Sequence, residues 1–151
     1  MNKKNILLIF VFFICIQLNS FAEEKNINIL SNELKIDKEL RISTFIGEVY
    51  VHDENLEIWA DKIIITLENE NDKIKDILAI GNVKIVRVNT EIYGNRAQYF
   101  LKNNSVLVTE NVIVKENGSK IVGDELILDL DSSSSIMKSS NSNRVETIIV
   151  K

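Results

Sequence analysis

Beyond residue 22, apolar and polar positions alternate with a period of two. In "DELILDLD", Leu126, Leu128 and Leu130 alternate with Glu125, Ile127 and Asp129. In "NRAQYFLK", Ala97, Tyr99 and Leu101 alternate with Gln98 and Phe100, and in "NVIVKE" Val112 and Val114 do the same with their neighbours. This period, with much Ile and Val, predicts strands. No stretch sustains a 3.6-residue period for three turns, so no helix is expected. Short polar breaks at Asp53-Glu54-Asn55, at 68–73, at Lys102-Asn103-Asn104 and at Glu116-Asn117-Gly118 predict tight connections between sequential antiparallel strands. Asn117-Gly118 is a type I′ turn signal.

The pattern also repeats. "GEVYV" begins at Gly47, "GNVKIV" at Gly81 and "ENVIV" at Glu110, a period of about 30 to 34 residues. Thirteen residues after each start stands a small residue followed by an Asx: Ala60-Asp61, Gly94-Asn95 and Gly123-Asp124. Across this pair the inward parity changes, with Ile92 and Gly94 even but Ala97 and Tyr99 odd. A bulge or corner has that effect. A degraded half-unit, "SNELKIDKELRISTF", precedes the first repeat, and "RVETIIV" reads as a closing strand. The expected fold is all-β, built from about three such units.

The first 22 residues belong to a different pattern. Asn2, Lys3 and Lys4 form a positive head, residues 6–16 are almost unbroken apolar sequence, and Ser20-Phe21-Ala22 supplies small residues before Glu23. This is the three-part layout of a secretory signal, and the apolar run is short of the ~20 residues that span a bilayer. The expected division is therefore a cleaved signal at 1–22 and one exported β domain at 23–151. Cleavage removes Cys15, the one cysteine, so the mature chain must hold together without a disulfide. It also leaves 16 basic against 22 acidic residues, a net charge of −6. An acidic exported domain lacks the basic face that nucleic acid requires.

Candidate chemistry is sparse. His52, the one histidine, stands beside Asp53 in an expected turn and reads as a surface residue. Asp61 and Asp124 have no His or Cys companions and read as corner residues, not as metal ligands or an acid/base pair. The serine-rich runs at 132–135 and 139–142 lack a nucleophile motif and read as loops around Ile136-Met137. There is no phosphate-binding glycine loop. Neither catalysis nor a cofactor is expected. What remains is an apolar face, which either closes on itself as a sandwich core or stays partly open as a slot.

The ordered set of "FIGEVYVHDENLEIWADKIIITL", "AIGNVKIVRVNTEIYGNRAQYFL" and "KIVGDELILDLDSSSSIMKSSNSNRVETIIV" resembles the LptA/OstA-like family of periplasmic lipopolysaccharide-transport proteins. Glu110, where the family has glycine, is the one departure in the repeat starts. The resemblance implies an open β-jelly roll of two antiparallel sheets that carries lipid A acyl chains in its interior and joins head to tail. It implies as partners lipopolysaccharide, an LptC-like inner-membrane subunit and an LptD-like outer-membrane subunit. The membrane-anchored LptC-like subunits share the domain, and so does the amino-terminal part of LptD-like subunits.

Candidate groove residues are Ile27 and Ile29 from the first strand, then Phe45, Val49, Ile63 and Ile65. Val83, Ile85, Tyr99 and Leu101 continue the face, followed by Val112, Val114, Leu126 and Leu128. A one-residue slip of register would turn this set outward. The candidate assembly edges are Asn26, Ile27, Asn28, Ile29 and Leu30 at one end, and Arg144, Val145, Thr147, Ile148 and Ile149 at the other. Neither holds a proline, the residue that commonly blocks an edge. Two rival readings stay open: a closed, lipid-free β-sandwich adaptor, and an exported carbohydrate-binding module. The latter calls for exposed aromatics, whereas Trp59 is the only tryptophan and sits at an expected corner.

Overall fold

A computed structural model describes residues 28–52, 56–68, 73–140 and 143–150. Six long strands form an antiparallel meander: β3 (Ile42–His52), β4 (Glu57–Leu67), β5 (Ile74–Arg87), β6 (Thr90–Phe100), β7 (Ser105–Glu116) and β8 (Ser119–Asp129). Short strands complete the two ends. β1 (Asn28–Leu30) and β2 (Glu33–Asp37) both pair with β3, while β9 (Ser134–Lys138) and β10 (Glu146–Ile148) both pair with β8. The all-β open jelly roll is thus present. Its two layers are continuous, because one ten-stranded sheet is folded over on itself.

The repeat is the fold line. On β3 the register jumps from Ile46 to Val49 while β4 advances only from Lys62 to Ala60. Gly47 and Glu48 together therefore face Asp61. Likewise Gly81 and Asn82 face Asn95, and Glu110 and Asn111 face Asp124. All six bulge residues have positive φ, between 46° and 81°. The "GxV" starts, which look like turns in the sequence, are therefore mid-strand bulges that bend strands without ending them. The three bulges line up across the sheet and divide every long strand in two. One half of the sheet is closed by β1 and β10, the other by β2 and β9. The corner pairs lie opposite the bulges, which accounts for their change of parity. β1 and β2 continue the same scheme at the edge: Asn32, between them, donates its backbone N–H to the Gly47 carbonyl at 3.1 Å.

The core lies inside the fold, against the bulge row. Val108 and Val112 are fully buried, and Val49, Ala60, Ile63, Ala79, Val83, Ile92, Ala97 and Leu126 nearly so. Close approach explains the small corner residues. A Cβ at Gly94 would come 2.6 Å from Val108 Cγ1, so only glycine lets the halves meet there. The hairpin tips follow local chemistry. Asn117 and Gly118 both have positive φ, as the type I′ turn requires. The β5–β6 turn, which the polar breaks did not mark, holds Val88 at φ 51 with its side chain exposed. Ser134 and Ser135 belong to β9 and not to a loop, because Ile136 and Met137 carry the strand past the serines.

The bulge positions make an opposed pair of predictions. At Gly81, φ is +80° and a Cβ would overlap the Asp61 carboxylate, so Gly81→Ala should lower stability by about 1–2 kcal/mol. Glu110 is exposed at φ 67°, so Glu110→Gly should raise stability by up to about 1 kcal/mol. Urea unfolding of both variants checks the signs; a stabilising Gly81→Ala would refute the account of the bulge.

Candidate functional site

Burial along the inner face is graded. Next to the fold line the side chains are buried; one step further out, Phe45, Ile65, Ile77, Val106 and Leu128 in the β2 half are half-buried. In the β1 half, Ile29, Val51, Ile58, Ile85 and Val114 occupy the matching step. The section is therefore a V, packed shut at its apex and apolar on both walls toward its mouth. Among the described residues no polar or charged side chain is buried. The β2 half runs from β2 to β9 across eight strands, and seven spacings of ~4.8 Å give a trough roughly 34 Å long.

Of the fourteen groove candidates, twelve lie on this inner face: Val49, Ile63, Val83, Val112 and Leu126 in the buried apex, Ile29, Phe45, Ile65, Ile85, Val114 and Leu128 on the walls, and Tyr99 near the mouth. Tyr99 shares the face, being in direct register with Ile77 and Val106. Its hydroxyl donates to Asn104 Oδ1 at 2.9 Å, and Asn104 Nδ2 donates to Asp131, tying two connections together at the mouth. Leu101 does not line the trough. β6 ends at Phe100, and Leu101 opens an exposed 3-10 turn closed by left-handed Asn104. Ile27 lies outside the described residues. Missing from the candidates are Val51, Ile58, Ala60, Ile77, Ala79, Ile92, Ala97, Val106, Val108 and Met137. Carrying the parity change at Ala60-Asp61 back along β4 would have found Ile58 and Ala60.

Among the described residues the two ends of the sheet are unpaired. On β2, Leu34 and Ile36 are in register with Phe45 and Ser43, yet about half exposed because no strand lies beyond them. On β10 all three residues are exposed, as are Val145, Ile149 and Val150 beside it. Of the expected amino-terminal edge, Asn28–Leu30 is the strand, and Asn26 lies outside the described residues. Asp124 anchors the other end. It accepts hydrogen bonds from the Ser140 backbone N–H at 2.6 Å and from Ser139 Oγ at 3.0 Å. The bond from the Ser140 backbone is the main cause holding its carboxyl below the usual range.

The outer face of the β1 half has other business. Tyr50 stacks on His52 and on Trp59, with centroids 5.3 and 5.0 Å apart. Lys84 Nζ sits over Trp59 at 5.1 Å and Tyr93 at 5.7 Å, and Lys115 Nζ over Tyr93 at 4.9 Å. Tyr50 and Tyr93 donate their hydroxyls to Glu57 and Glu91, each at 2.7 Å, which raises both phenol pKa values. His52 is therefore the half-buried last residue of β3, not a free turn residue. Trp59 stands in mid-strand on this face, not at the corner itself. Ring faces turned toward neighbours and covered by cations are cross-strand supports; they leave little flat surface for a sugar, which weakens the carbohydrate reading.

A sheet folded over an apolar trough, with both edges unpaired, is an open β-jelly roll. The family described as "LptA/(LptD N-terminal domain) LPS transport protein" matches residues 28–134, and the chain belongs to it. An uncharacterised protein of Rickettsia prowazekii (strain Madrid E) is 26% identical over 125 residues, covering 78% of this chain and 86% of that one. The crystal structure of LptH from Pseudomonas aeruginosa, described as the LptA-homologous periplasmic component of the lipopolysaccharide transport device, superposes with a TM-score of 0.74. That match covers 85% of this chain and 97% of LptH at 15% identity, so it speaks to the fold.

The Asp124 anchor yields a pH prediction. A carboxyl depressed in the folded state contributes its hold fully above the ordinary carboxylate pKa, and loses it as pH falls through the lowered value. The Ser140 amide resonance should therefore titrate with a midpoint below that of an ordinary aspartate, and Asp124→Asn should abolish the titration. A midpoint at or above the ordinary value would contradict the hydrogen-bonded carboxylate.

Proposed function

We propose that this chain is a periplasmic lipopolysaccharide-transport component that shields lipid A acyl chains in the trough and extends end to end between the two membranes. The observation that carries the reading is the graded inner face. Its apex is closed enough to fold alone, and its walls are apolar yet only half covered. Each methylene withdrawn from water contributes about 0.8 kcal/mol. One leaflet of acyl chain is about half of a ~30 Å hydrocarbon core, well within the trough's length. Membership of a transport family supplies the substrate class. Export rests on the amino-terminal pattern of residues 1–22, which lie outside the described residues. A lipid-free adaptor remains the alternative, and mass spectrometry of lipid bound to the purified protein separates the two.

Crosslinking tests the trough. Ile85 points inward and is half-buried, whereas its neighbour Lys84 covers Trp59 on the outside. A photoreactive residue at Ile85 or Ile29 should capture lipopolysaccharide, and one at Lys84 should not. The protein should be recovered from the periplasm, with Glu23 at or near its first position. Equal capture at positions 84 and 85 would exclude the trough as the lipid path.

The bridge reading assigns β1 and β2 of one molecule to the β9 and β10 edge of the next, so that one sheet continues through both. LptC-like and LptD-like subunits would then engage the two free ends of the assembly. Ile148→Pro alters only the last of the three β10 pairs and should leave the monomer folded. It should abolish the end-to-end ladders, the concentration-dependent species larger than a dimer, because proline removes a donor from the edge. Light scattering across a concentration series decides the matter; ladders that persist in the variant would remove this edge from the assembly.

A further inference from the structure

The two halves of the sheet differ on their outer faces. In the β1 half, charges and stacked rings coat the surface. In the β2 half, register aligns Thr44, Ile64, Leu78, Gln98, Leu107 and Ile127 in one row across the strands, ending at Ile136. From β3 to β9 the row carries no charge. Its aliphatic members alternate with Ile63, Ile65, Ile77, Val106 and Leu128 of the trough, so they point away from it. They are half-buried by their neighbours, and Ile136 is 55% exposed. A shallow hollow of about 240 Å³ beside Phe100, Leu107 and Ile127 indents the same surface. The trough cannot account for these side chains.

The flanks of the row are polarised. Toward the fold line stand Lys62 and Arg96, in register through Ile80, and toward the mouth stand Asp76 and Asp129. The Glu125–Lys138 pair, at 2.9 Å, neutralises itself. We infer that this face binds the same face of a second copy of the chain, turned over about a two-fold axis along the row. That operation sets the cationic flank of each molecule against the acidic flank of the other: Lys62 and Arg96 come beside Asp76 of the second copy. It also sets each row residue against its own counterpart, so Gln98, the amide at the centre, meets Gln98 of the second copy and the two amides satisfy each other. A self-complementary patch of this kind is what an isologous contact requires. An anionic bilayer is the wrong occupant for a domain of net charge −6.

Size sets the strength. From Ile64 to Ile136 the row crosses five strand spacings, roughly 24 Å, and with its flanks is roughly 14 Å wide. About 300 Å² per molecule lies below the size of stable interfaces, so the dimer is weak and reversible. It leaves the sheet edges free, and is thus independent of end-to-end pairing.

Disulfide trapping separates this contact from the edges. In a chain carrying Cys15→Ser, Gln98→Cys should form a covalent dimer under mild oxidation, and Lys84→Cys, on the outer face of the other half, should not. In the Ile148→Pro chain, sedimentation should still show a dimer at high concentration. Adding Leu107→Lys should raise its dissociation constant roughly tenfold or more, with the circular dichroism unchanged. Asp76→Arg with Arg96→Glu, which exchanges the two charges of the Arg96–Asp76 contact, should, in a Lys62→Gln background, restore the dimer that Arg96→Glu alone weakens. A monomer at every concentration, or equal trapping at positions 84 and 98, would overturn the inference.

Discussion

Everything in this fold depends on one backbone device, the row of two-against-one bulges. Each sets two left-handed residues opposite a single Asx and so bends a strand while its ladder resumes beyond the bend. Left-handed backbone costs an L residue roughly 1–2 kcal/mol, which is why glycine stands first in two of the three pairs and Asn second in two of them. The Asx side chain also secures the bend: Asn82 Nδ2 donates to Asp61 Oδ2 at 2.9 Å, and Asp124 holds Ser139 and Ser140. Repeating the device at every second strand aligns the bends into a straight crease. A sheet that would otherwise expose an apolar face then covers that face with itself.

The crease separates stability from openness. Valines and alanines, with Ile63, Ile92 and Leu126, are buried at the apex, and further aliphatics stand on the walls only half covered. A closed sandwich would use both rows for stability. Here the outer row can meet a ligand without disturbing the inner one. The Tyr50–Trp59–Lys84–Tyr93 ladder braces the back of one wall. The other wall has no such brace, and its outward row of aliphatics is the feature that the trough leaves unexplained.

Much of this was legible in the sequence because it is local. The period of two gave the strands, the recurrence of "GxV" gave the repeat, and the parity change at Gly94-Asn95 gave the corner. Twelve of the fourteen inner-face candidates stand on that face, and alternation alone put them there. The first failure has a physical cause, that a bulge and a turn use the same residues. Gly47-Glu48 and Gly81-Asn82 have turn chemistry, and only the partner strand shows that the chain runs on. Leu101 failed because alternation does not announce where a strand stops; left-handed Asn104 closes the turn after β6, bonded to Tyr99 nearby and to Asp131, which is distant in sequence. The outer row was invisible for a further reason. Ile64, Leu78 and Leu107 stand among apolar neighbours on both sides, so only register assigns them to the back.

Continuity of the sheet also decides where interactions with other molecules can arise. Within a folded sheet every interior strand finds its hydrogen-bond partners on both sides, so unsatisfied backbone donors and acceptors are confined to the first and last strands. Those strands are short and exposed, without a proline in the chain to blunt them. Growth by backbone pairing is therefore directed along the axis of the crease, the direction in which the trough itself runs. On the proposed end-to-end pairing, each added molecule would lengthen the apolar channel without widening it. Faces, by contrast, can associate only through side chains, weakly and with a symmetry of their own. On the two proposals together, a single creased sheet would offer directional contacts at its ends and weaker, reversible ones on its back, and the two would not compete for the same groups.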